Sequence, residues 1–122
     1  MALAKQMMGG GISAGMAKAM NGTVATALSG AGTTQATGTA INAAFNVFTT
    51  VAASSGATLP SCEIGDSVLV FNNTGTNALT VYPDTSSTIN QLSANTGVLL
   101  APYNGAIFYR VSATGWFAIL SA

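Results

Sequence analysis

The sequence predicts an all-β module preceded by a separate N-terminal arm, and three observations carry that expectation. From Ile41 onward, short β-branched and aromatic runs alternate with turn residues, which is the pattern of strands. Ionised side chains make up only 5% of the chain, against roughly a quarter in ordinary soluble domains. The first twenty residues hold all five methionines, two of the three basic residues and four glycines, a composition that recurs nowhere else.

At 122 residues the chain suits one domain. Hydrophobic residues reach 49%, but many are Ala, which buries little area, and the large apolar side chains fall mainly after Thr39. So modest a core leaves much apolar surface uncovered in a lone copy, which favours permanent self-association. A net charge of zero points the same way. The expected organisation is a docking arm over residues 1–22, a linker or edge segment over 23–40, and a β-domain over 41–122.

In the arm, Leu3 and Met7 are spaced i, i+4, and Ile12, Met16 and Met20 repeat that spacing after the break at Gly9, Gly10 and Gly11. The arm is therefore expected to be extended or partly helical. It is too short and too glycine-rich to be a stable helix alone. Its Met side chains, Met8 included, adapt to irregular grooves on a partner, and Lys5 and Lys18 add charge for docking.

Strands are expected over residues 44–52, 67–71, 78–82, 98–100, 106–111 and 116–120, with short pieces near Thr58 and Ile89. Pro83 ends one strand because it cannot donate to a ladder. Asn72 to Asn77 reads as a loose hairpin, and Ala113, Thr114 and Gly115 as a second turn. Ile107, Tyr109 and Val111 alternate with Ala106, Phe108 and Arg110, so the first set reads as the strongly apolar face. Val68, Leu69, Val70 and Phe71 are apolar on both faces, as are Trp116, Phe117, Ile119 and Leu120. Both runs are expected in the core or at a subunit interface.

Little in the chain suits catalysis. There is no His, so general acid–base work falls to three acids, and Ser, Thr and Cys62 lack an activating imidazole. Glu63 and Asp66 flank Gly65 as a polar turn, without the ligand spacing of a calcium loop. No metal, cofactor or catalytic residue is expected. Two lysines and one arginine do not make a phosphate-binding track, which discounts nucleic acid. No run reaches the ~18 apolar residues of a membrane span, and the first twenty residues do not read as a secretory signal. Tyr82 and Tyr103, each next to a proline, are candidates for exposed aromatics.

The run Gly65-Asp66-Ser67-Val68-Leu69-Val70-Phe71-Asn72-Asn73, then Asn77-Ala78-Leu79-Thr80-Val81-Tyr82-Pro83, Thr88-Ile89-Asn90 and Gly115-Trp116, resembles small virion proteins of tailed bacteriophages. The likeness covers about the last two thirds of the chain. It implies a non-enzymatic capsid decoration, or cement, protein: a trimeric β-knob whose arms grip the major capsid protein. It implies a small antiparallel β-sandwich or barrel, jelly-roll-like, made in the host cytoplasm and carried on the virion surface. A head-fibre or tail-fibre module with receptor or glycan binding is the alternative.

Overall fold

A computed structural model describes residues 23–121. The docking arm expected over residues 1–22 lies outside them. The described chain is all β, without a helix, in ten strands: β1 (Val24–Ser29), β2 (Thr39–Ala40), β3 (Phe45–Thr50), β4 (Gly56–Thr58), β5 (Ser67–Asn72), β6 (Leu79–Tyr82), β7 (Thr88–Ile89), β8 (Val98–Leu100), β9 (Gly105–Ser112) and β10 (Gly115–Leu120). They form a six-stranded sheet in the order β1-β3-β5-β9-β10-β7 and a four-stranded sheet in the order β2-β4-β6-β8.

The jelly-roll expectation gives way here to a short β-solenoid. β1, β3 and β5 stack in parallel in the first sheet, while β2, β4 and β6 stack in parallel in the second. The chain thus crosses from one sheet to the other and back, laying down three coils. Phe45 pairs with Leu69 and Ala57 with Val81, so both sheets advance by the same number of residues between the second and third coils.

Asn72 to Asn77 is accordingly a corner between sheets, not a hairpin. The corner is held by Asn72, which is fully buried and donates from Nδ2 to the carbonyls of Asn77 at 2.9 Å and Leu100 at 3.0 Å. Thr74 Oγ1 donates in turn to Asn72 Oδ1 at 2.7 Å. Those bonds supply what a hairpin ladder would have supplied, and they let the backbone leave one sheet for the other.

Antiparallel strands close the third coil. β9 pairs with β5, β8 with β6, and β10 folds back on β9 through the turn expected at Ala113 to Gly115. The core lies between the sheets and contains Ile41, Phe48, Leu59, Val70, Leu79, Val81, Ile89, Leu100, Phe108 and Trp116 among its buried side chains.

One expected orientation is reversed. In β9 it is Ala106, Phe108 and Arg110 that are buried, while Tyr109 and Val111 are exposed and Ile107 is half-buried. The phase follows from β5, whose Val68 pairs with Phe108 and Val70 with Ala106, placing these residues on the inner face together.

Candidate functional site

The β9–β10 hairpin has two unlike faces. On the inner one, Arg110 of β9 and Trp116 of β10 converge on Asp84 in the loop between β6 and β7. Arg110 Nη1 lies 2.5 Å from Asp84 Oδ1, with the two side chains only 5% and 16% exposed. Trp116 Nε1 donates to the same oxygen at 2.9 Å. The guanidinium sits 5.2 Å from the centroid of the Trp116 ring, within cation–π range. Nη1 also reaches Ser87 Oγ at 3.4 Å, and Nη2 donates to the carbonyl of Ala113.

Burial alone would raise the pKa of Asp84. The hydrogen bonds from Trp116, Arg110 and Ser87, with the Arg110 charge, outweigh it and hold the carboxyl below the usual aspartate range. The donors and the carboxylate are thereby committed to one another, which makes the cluster a clasp tying the β6–β7 loop to the hairpin. The sequence carried one sign of it, a lone arginine inside an alternating apolar strand.

The outer face is different in kind. Val24, Phe45, Leu69, Ile107 and Ile119 are partners in register across five neighbouring strands, giving one continuous apolar row. Beside it run Val47, Phe71 and Gly105, and on the other side Ser67, Tyr109 and Phe117. Phe117 is 53% exposed and Ile119 63%. No ionisable group other than the Tyr109 phenol occurs in these rows.

Gly105 makes a dip in that surface. A side chain there would bring its Cβ within 2.9 Å of both Phe71 Cδ1 and the Val70 carbonyl oxygen, so only glycine lets the Phe71 ring lie over this position. The result is an open apolar groove of about 360 Å³, lined by residues that include Leu69, Phe71, Ile107, Ile119 and Leu120.

The residues expected in the core or at an interface therefore divide. Val68, Val70 and Trp116 are buried; Leu69 and Phe71 are half-buried on the outer face; Phe117, Ile119 and Leu120 are exposed. Leu3, Lys5, Met7, Met8, Ile12, Met16, Lys18 and Met20 lie outside the described residues. Tyr103 is exposed, but Tyr82 is half-buried, donates its hydroxyl to the Thr33 carbonyl at 2.9 Å and covers Gly56 and Gly97. Tyr82 is thus a packing residue rather than an exposed aromatic.

At the Glu63–Asp66 turn, Asp66 Oδ2 accepts from the Glu63 backbone N–H at 3.0 Å, and Gly65 takes the positive φ of 97° that the turn requires. Burial and the Asp66 charge push the nearby Cys62 thiol up, away from the thiolate a nucleophile needs. Among the described residues no three His, Cys, Asp or Glu side chains come together as a metal-holding group, and no helix is long and apolar enough to cross a membrane. Comparison of the chain with protein families, curated proteins and solved structures yields no match.

Proposed function

We propose that the chain is a non-enzymatic structural subunit of a virion, a capsid decoration protein that binds the major capsid shell as a homotrimer and stabilises it. The observation that carries this reading is the outer face of the six-stranded sheet, apolar, uncharged and not covered by any of the described residues, on a chain with only six ionised side chains. Surfaces of that kind mark protein contacts. The capsid setting is supported by the resemblance of residues 65–116 to phage virion proteins, and needs no cofactor. Attachment is assigned to Leu3, Met7, Met8, Ile12, Met16 and Met20, with Lys5 and Lys18 adding salt-sensitive attraction.

Deleting residues 1–22 tests this directly, by mixing the shortened protein with undecorated capsids and measuring occupancy. Loss of occupancy by a folded oligomer is the expected result; occupancy equal to wild type would place attachment on the β-domain. The coil stack favours a second reading, a head-fibre or tail-fibre module, because stacked parallel coils are how extended β structures are built. Labelling the protein on purified particles separates the two: signal over the shell supports decoration, and signal confined to fibres supports the second reading.

A further inference from the structure

We infer that the occupant of the outer face of the six-stranded sheet is a second copy of this chain, with Phe117 of one copy packing toward the Gly105 groove, walled by Ile119, of the next. This rests on the reading of the chain as an oligomeric structural subunit and names the surface by which the copies meet. Three features of the face select such a partner. It carries no charge to steer toward an acidic or basic surface, and the copy it would meet is equally neutral. It also holds both halves of a fit, the groove at Gly105 with Ile119 in its wall, and the exposed Phe117 two residues away on the adjoining strand.

The third feature is size. Five strands at ~4.8 Å and six residues at ~3.3 Å give a face of roughly 480 Å². Two such faces together come to roughly 1,000 Å², the lower limit of a specific interface. Association is accordingly concentration-dependent.

The sheet edges are poorer candidates for self-association. β1, the long edge strand among the described residues, is interrupted by register shifts between Ala25 and Leu28 and again before Ser29, and Ala27 takes a positive φ of 59°. Such irregularity blocks strand addition. The opposite edge, β7, has two residues. The four-stranded sheet has an exposed Leu99 on β8, which lies outside the lining of the Gly105 groove.

The experiment is a native-mass measurement over a concentration series on the full-length protein and the variants Phe117→Asp, Ile119→Asp, Phe117→Ser and Leu99→Asp. Circular dichroism and the emission of buried Trp116 establish that each is folded. Phe117→Asp and Ile119→Asp should weaken association by about 30-fold or more, with Phe117→Ser weaker in effect and Leu99→Asp matching wild type. A wild-type protein that stays monomeric at the highest concentration overturns the inference, as does an unchanged mass for folded Ile119→Asp or Phe117→Ser. Capsid occupancy measured on the same samples reports on decoration separately: a monomer that still decorates sinks the face as a self-contact and leaves decoration standing.

Discussion

On its inner side the β9–β10 hairpin carries Arg110 and Trp116; on its outer side it carries Ile107, Tyr109, Phe117 and Ile119. The charged side is the dry one. The difference teaches that a face is buried where a matching face exists, not where its side chains are most apolar. Val68 and Val70 of β5 meet Phe108 and Ala106, and Asp84 waits across the core for the guanidinium, so the arginine is carried inward with its strand. The apolar residues of the outer side are left exposed among the described residues.

Breaking the inner face should have the largest effect. Arg110→Ala leaves Asp84 without its cation in a largely buried position and should cost about 3–5 kcal/mol in chemical denaturation. Outer-face variants should show no such loss.

The same clasp gives the inner face an acid dependence that the outer face lacks. Because the folded-state pKa of Asp84 is depressed, the unfolded chain binds more protons as pH falls, and stability falls with it. The contribution is complete above the ordinary aspartate value of ~3.9 and is lost as pH drops through the lower folded value. In Asp84→Asn that part of the acid slope should be absent, with stability already reduced at neutral pH. Denaturation midpoints followed from neutral to strongly acidic pH measure both.

Filling the outer groove is the intermediate case. Gly105→Val must displace Phe71 or the β5 backbone and should cost about 1–3 kcal/mol, while also weakening association of the copies. The smallest effect belongs to Phe117→Ser, which should change the stability of the dissociated chain by no more than about 0.5 kcal/mol, measured at low protein concentration. A large loss there would mean that the outer face supports the fold itself and would erase the contrast between the two sides.

Much of the strand content was readable because β-branched runs bounded by Pro83, Asn104 and Gly115 announce themselves. Strands near Thr58 and Ile89 and the β9–β10 turn were readable on the same grounds. Parallel pairing was not. Successive coils place Phe45 over Leu69, Asn46 over Val70 and Phe48 over Asn72, pairs alike in position but not in identity, so no repeat shows in the letters. β2, only two residues long, has no periodicity to detect. The corner at Asn72 looked like a hairpin because turn residues serve both; which one forms depends on carbonyls of Asn77 and Leu100. The two-faced character of residues 116–120 was legible, but the phase of β9 was not, since an arginine in a strand reads as a solvent-facing residue until its counterion is located.

Chain order gives the closing strands a consequence in time. The three coils leave the ribosome before the strands that seal them, so the exposed edges of β5 and β6 wait for β9 and β8 to be synthesised. Asp84 precedes Arg110 by 26 residues, an interval of roughly 1–5 seconds at ordinary rates of translation. During that interval the half-built stack offers a free parallel edge to any neighbouring nascent chain, the exposure from which β aggregation starts. In the folded chain the antiparallel strands β9 and β8 cover those edges of β5 and β6.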